Sequence, residues 1–109
     1  MASSKIVLVT GGNNGIGYET VKALLLSKES YHVLLGSRSL EKGKLAIESL
    51  KQECPDVTNT VELIQVDLTS DESIEKAFGE VKARHEYLDI LINNAGPLPT
   101  SPAHDFSAN

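Results

Sequence analysis

Apolar residues in this chain gather in four short runs: Ile6-Val7-Leu8-Val9, Val33-Leu34-Leu35, the mixed stretch Val61-Glu62-Leu63-Ile64-Gln65-Val66, and residues 88–92. Runs of this length, rich in β-branched and aliphatic side chains, predict strands. Between them the apolar positions recur with helical spacing. Val21, Leu24 and Leu25 predict a helix over about residues 17–27. Leu40, Gly43, Ile47, Leu50 and Cys54 define one face of a second helix, capped by Ser39, with Glu41, Lys44, Glu48 and Lys51 on its solvated side. Pro55 and Asp56 end it. Ile74, Ala77, Phe78 and Val81 form the buried stripe of a third helix, which Thr69-Ser70-Asp71-Glu72 opens as a capping box with Thr69 as the cap.

The element order is βαβαβαβ, which calls for a parallel sheet with helices on both faces. The fold class is therefore α/β, a doubly wound, Rossmann-like sheet with strand order 3-2-1-4. A ligand crevice is expected at the switch point between the carboxyl ends of strands one and four. Residues 1–96 form this half domain, which ends after strand four. Residues 97–109, with three prolines and little apolar content, read as an irregular tail.

The chemistry concentrates where the first strand meets the first helix, at Thr10-Gly11-Gly12-Asn13-Asn14-Gly15-Ile16-Gly17. A glycine turn from a buried strand into a helix points free backbone N–H groups at a phosphate. Gly11 allows the sharp turn, Gly15 lets the backbone approach a pyrophosphate, and Gly17 lets the helix pack closely. Strand two ends in Gly36-Ser37-Arg38, where an NAD site usually carries a carboxylate. Arg38 offers instead a planar charged fork for a 2′-phosphate, with the Ser37 hydroxyl as a second donor. NADP is expected as the cofactor rather than NAD.

The pattern T-G-x-x-x-G-x-G resembles the N-terminal fingerprint of the short-chain dehydrogenase/reductase family. Asn93-Asn94-Ala95-Gly96 is similar to the family's N-N-A-G at the end of strand four. The resemblance implies that Thr10, Gly11, Asn13, Asn14, Gly15, Ile16 and Gly17 form the cofactor loop. It implies that Asp67 accepts from the adenine amino group and that Leu68 packs beside the adenine. Asn94, Ala95 and Gly96 would brace the loop and line the nicotinamide ribose. NADP-preferring members often carry a basic residue just before the second glycine of the fingerprint, where Asn14 stands here. The implied activity is hydride transfer between a nicotinamide cofactor and a small carbonyl or alcohol substrate of the full-length parent, for which the resemblance leaves room to be a homo-oligomer.

The family's catalytic Asn, Ser and Tyr-x-x-x-Lys come after strand four, beyond these 109 residues. Tyr18-Glu19-Thr20-Val21-Lys22 matches Tyr-x-x-x-Lys literally, but it opens the helix that faces the pyrophosphate, so no catalytic residue is assigned. A second reading is a non-catalytic nucleotide-binding module or redox sensor.

Composition narrows the picture further. With 40% hydrophobic and 23% charged residues the chain reads as a soluble domain, and a net charge of -5 argues against nucleic acid. No run suits a membrane span, and Met1-Ala2-Ser3-Ser4-Lys5 leads straight into a strand, which makes a cytoplasmic location the expectation. Cys54, alone in the sequence, reads as a small, partly buried hydrophobe. His32, His85 and His104 are scattered, without metal-ligand spacing, and no metal is expected. Glu72, Glu75, Glu80 and Glu86 read as the solvated face of the third helix.

Overall fold

The computed structural model describes residues 4–13, 15–85 and 87–94. The elements follow in the expected order: β1 (Lys5–Thr10), α1 (Gly15–Leu26), β2 (Tyr31–Ser37), α2 (Leu40–Glu53), β3 (Thr60–Gln65), α3 (Asp71–His85) and β4 (Ile90–Asn93). The four strands form one parallel sheet in the order β3-β2-β1-β4. Crossovers of one hand put α1 and α2 on one face while the chain moves outward to β3. They put α3 on the other face when it returns past β1 to β4.

Both faces of the sheet are covered, which is why β1 and β2 are apolar without alternation. Val7, Val9, Val33 and Leu35 pack with Val21 and Leu25 of α1 and with Ala46 and Leu50 of α2. Ile6, Leu8, Leu34, Ile64 and Val66 meet Ile74, Ala77, Phe78 and Val81 of α3. Burying each valine, leucine, isoleucine or phenylalanine among them contributes about 1.5–3 kcal/mol, far more than a surface ion pair. The stripe predicted for α3 is therefore the one observed. In α2 the stripe runs through Gly43, Ala46 and Leu50 to Cys54, whereas Leu40 is 44% exposed.

Capping differs from the expectation at one helix. Ser39 caps α2 as anticipated, its hydroxyl accepting from Lys42 N–H. At α3 the Ser73 N–H donates to Ser70 Oγ, while the Thr69 hydroxyl donates to Asp67 Oδ1 at 2.6 Å. Asp67 captures the Thr69 hydroxyl, so the cap falls one residue later. Two further ties set the strand ends. Asn59 Nδ2 donates to Leu24 O and Glu29 O while its Oδ1 accepts from Tyr31 N–H, which joins the end of α1 to the entries of β2 and β3. Ile6 N–H donates to Asp89 Oδ2 at 2.7 Å, so Asp89 pins the approach to β4.

Candidate functional site

The carboxyl ends of the strands and the start of α1 hold the glycine loop from three directions. Beneath it, Thr10 is 1% exposed; its hydroxyl donates to Asn93 Oδ1 at 2.7 Å and accepts from Asn94 N–H at 3.0 Å. That pair of bonds locks β1 to β4 at the switch point. On the other side, Gly12 N–H donates to Gly36 O at 2.9 Å and ties the loop to β2. Above it stands α1. A Cβ on Gly17 would lie 2.0 Å from Gly11 O, so only glycine permits this approach. The close contact is with the loop itself rather than with the sheet. Gly11 and Gly15 have φ of 63° and 59°, the left-handed region, and the Cβ position of Gly15 faces open space.

A cavity of about 500 Å³ opens in front of this loop. Of the residues singled out in the sequence, Gly11, Asn13, Gly15, Ile16, Gly17, Ser37, Arg38, Asp67, Leu68 and Asn94 line it. Thr10 lies behind the wall as a brace. Asn14, Ala95 and Gly96 lie outside the described residues, as does the tail. The first turn of α1 carries no acidic side chain, so nothing negative there opposes an anion at the positive end of the helix.

The rim beyond β2 is built by serines. The Ser37 hydroxyl donates to Ser39 O at 2.8 Å and accepts from Ser39 N–H, and its side chain is buried. In this structure the Ser37 hydroxyl, expected as a second donor, is bonded to Ser39 O while the residue still lines the cavity. Its hydrogen completes the turn that presents Arg38, and Gln65 Nε2 donates to Arg38 O from β3. Arg38 itself is exposed on the cavity rim. The sequence reading missed a second cation there, Lys42, which also lines the cavity. Ser39 as N-cap was the available signal, because it puts Lys42 in the first turn of α2, four residues after Arg38.

Across the cavity, Asp67 accepts from Thr69 Oγ1 at 2.6 Å and from Thr69 N–H at 3.0 Å, both on Oδ1. These hydrogen bonds, the side-chain one foremost, hold its carboxyl below the usual carboxylate range, with a smaller pull from Arg38. Asp67 N–H donates to Ser73 Oγ, which fixes the turn into α3. Leu68 is half-buried against the α3-side core.

Tyr18 and Lys22 point away from any catalytic use. Tyr18 Oη donates to Glu53 Oε1 at 2.7 Å, and Lys22 Nζ lies 3.6 Å from the same oxygen. Burial, followed by the hydrogen bond to Glu53 and its negative charge, pushes the Tyr18 hydroxyl up to about 12. A tyrosine that serves as general acid and base near neutrality needs the opposite shift.

A parallel 3-2-1-4 sheet with a glycine loop at its switch point defines a doubly wound nucleotide-binding fold. Sequence comparison gives the family. A profile described as "short chain dehydrogenase" matches residues 5–109, and the chain belongs to that family. It is 45% identical over 96 residues to the short-chain dehydrogenase/reductase tropE of Talaromyces stipitatus, covering 88% of this chain and 36% of that protein. The menthone neomenthol reductase structure from Mentha piperita superposes with a TM-score of 0.78 at 36% identity, covering 88% of this chain and 33% of that one. L-sorbose reductase from Gluconobacter frateurii, solved with NADPH and L-sorbose, gives a TM-score of 0.71 at 29% identity, covering 87% of this chain and 34% of that one. The chain thus spans about a third of the length of the relatives it matches.

Proposed function

We propose that this chain is the NADP(H)-binding part of an oxidoreductase that moves a hydride between the nicotinamide and a carbonyl or alcohol carbon. The observation that carries the reading is the rim after β2, where Arg38 and Lys42 stand in place of a ribose-binding carboxylate. The cofactor-bound L-sorbose reductase supports it as a structural relative. The residues fit such a group. The loop at Gly11, Gly15 and Gly17 and the N-terminus of α1 would hold the pyrophosphate. Arg38 would grip the 2′-phosphate with its fork, and Lys42 would add a point charge. Asp67, with both Thr69 bonds on Oδ1, would turn its other oxygen to the adenine amino group, and Leu68 would pack on the ring. Asn94, with Ala95 and Gly96, would follow the nicotinamide ribose, and Asn13, Asn14 and Ile16 would complete the loop wall. When bound, the nicotinamide supplies or accepts the hydride. The chain's own residues bind it, orient it and keep Thr10, Asn93 and the loop as one unit. A cytoplasmic location suits this role.

A second reading has a specific observation in its favour: Tyr18 and Lys22 are engaged by Glu53, which leaves no Tyr-x-x-x-Lys pair for catalysis among the described residues. On its own the chain would then bind nucleotide without turning over substrate. The deciding experiment for the cofactor is calorimetric titration of wild type and Arg38→Ala with NADPH and NADH. Charge-assisted hydrogen bonds contribute about 1.5–3 kcal/mol, so NADPH affinity should fall about tenfold to a hundredfold while NADH affinity stays near wild type. Equal losses for both cofactors would refute the 2′-phosphate assignment.

A further inference from the structure

At the sheet edge opposite the cavity, three residues distant in sequence converge. His32 lies near the start of β2, Glu62 near the start of β3, and His85 ends α3. Glu62 Oε1 is 2.9 Å from His32 Nε2 and 3.2 Å from His85 Nε2. The two rings stand with centroids 4.9 Å apart, and one ligand atom from each of the three residues falls within 4.8 Å of the others. All three side chains are partly buried, with exposures of 20%, 25% and 18%.

Two imidazoles and one carboxylate are the donor set of many zinc sites with an open fourth position. Bonds of about 2.0–2.1 Å in a tetrahedron separate the ligand atoms by about 3.3 Å. The two nitrogen-to-oxygen distances already lie near that value, and the third edge, which lies within 4.8 Å, would have to shorten as a cation binds. Supporting groups orient the set. Thr60 Oγ1 sits 2.5 Å from His32 Nδ1 and holds that ring by its outer nitrogen. Arg84 holds Glu62 Oε2 and lies 3.6 Å from Glu80, which leaves Oε1 to face the two rings. His32 Nε2 faces Glu62 Oε1, and a cation between them would take the place of the hydrogen bond they share. Two carboxylates against one guanidinium leave the cluster net negative, which suits a dication.

We propose that His32, Glu62 and His85 bind a divalent cation of the zinc class, through both Nε2 atoms and Oε1, with water in the fourth position. Ligands from β2, β3 and α3 make it a clamp that fastens the end of α3 to the sheet. Mixed nitrogen and oxygen donors favour zinc, cobalt or copper over calcium or magnesium.

The test uses the untagged full chain, titrated with Zn²⁺ by calorimetry at neutral pH. One equivalent should bind, the unfolding temperature should rise with Zn²⁺ and return with a chelator, and Co²⁺ should give the intense visible bands of a four-coordinate site. His32→Gln and His85→Gln should each weaken Zn²⁺ at least about tenfold, and Thr60→Val, which removes only the orienting contact, about tenfold at most. No stoichiometric Zn²⁺ in the wild type, or wild-type affinity in both histidine variants, overturns the proposal. If a histidine variant fails to fold, the wild-type Co²⁺ spectrum decides: four-coordinate bands support the site and their absence overturns it.

Discussion

The two edges of the sheet treat polar groups in opposite ways. At the carboxyl edge the chain uses its internal hydrogen bonds underneath and behind the cavity, at Thr10, Gly12 and Ser37, and leaves Arg38 and Lys42 on the open rim. At the amino edge the side chains converge on one another: Asn59 gathers carbonyls from α1 and its loop, and Glu62 gathers His32, His85 and Arg84. Among the described residues no buried side-chain polar atom lacks a partner. One edge therefore keeps its bonds behind the cavity and leaves the cations of the rim exposed. The other closes the fold on itself.

The largest predicted effect breaks the carboxyl edge. Gly17→Ala places a methyl group where Gly11 O already stands, 2.0 Å from the ideal Cβ. Backbone cannot yield as a side-chain end can, so the loop or the first turn of α1 must shift. A loss of about 2–3 kcal/mol is expected in urea unfolding, together with loss of NADPH binding in calorimetry. Wild-type stability in this variant would show that the loop is not held against α1 as the structure has it.

A smaller effect probes the amino edge. Glu62→Gln keeps the shape but removes the charge that Arg84 and the two histidines share, and should cost about 1–2 kcal/mol in urea at neutral pH. Burial raises the Glu62 carboxyl, but hydrogen bonds from His32, Arg84 and His85 outweigh it and hold it below its usual 4.5. A lowered carboxyl stabilises the fold above its unfolded value and loses that contribution as pH falls through the folded one. The gap between wild type and variant should therefore shrink as the pH drops below about 4.5. A gap that widens under acid would contradict the assignment. NADPH affinity should be unchanged, since Glu62 belongs to the other edge.

The same contrast explains what could be read from the sequence. The carboxyl edge is written locally. A glycine loop, an arginine where a carboxylate is usual, and Asp67 after β3 follow one another along the chain, and the alternation of elements sets strand order 3-2-1-4. What escaped there were rivalries between neighbours. Thr69 and Ser70 both suit a cap, and only the capture of Thr69 by Asp67 gives the position to Ser70. Ser37 has one hydroxyl hydrogen, and the Ser39 carbonyl takes it. The amino edge was illegible for a different reason. His32 and Glu62 are 30 residues apart and Glu62 and His85 are 23 apart, so only the register of β2 on β3 and the length of α3 bring them together. Nothing in local spacing marks three such residues as a cluster.

Tyr18 gives the smallest expected effect and the sharpest check on reading local motifs. It sits four residues before Lys22, the spacing of a catalytic pair, yet both side chains end on Glu53 and tie α1 to α2. Because the hydroxyl donates to a carboxylate, ionising it would remove the proton that makes the bond and set two negative charges together. Burial is the larger part of the cost, and the hydroxyl stands at about 12 instead of 10. The raised value means that Tyr18 stabilises the fold fully below its free value of 10 and loses that contribution as the pH climbs through 12. In a spectrophotometric titration of the three tyrosines, one should ionise near 12, and Tyr18→Phe should delete that step. At neutral pH the variant should lose no more than about 0.5 kcal/mol in urea, because the bond lies on the surface. A tyrosine ionising well below 10 and abolished by Tyr18→Phe would instead give this pair the electrostatics of a general acid and base, and would bring the catalytic reading of the helix back.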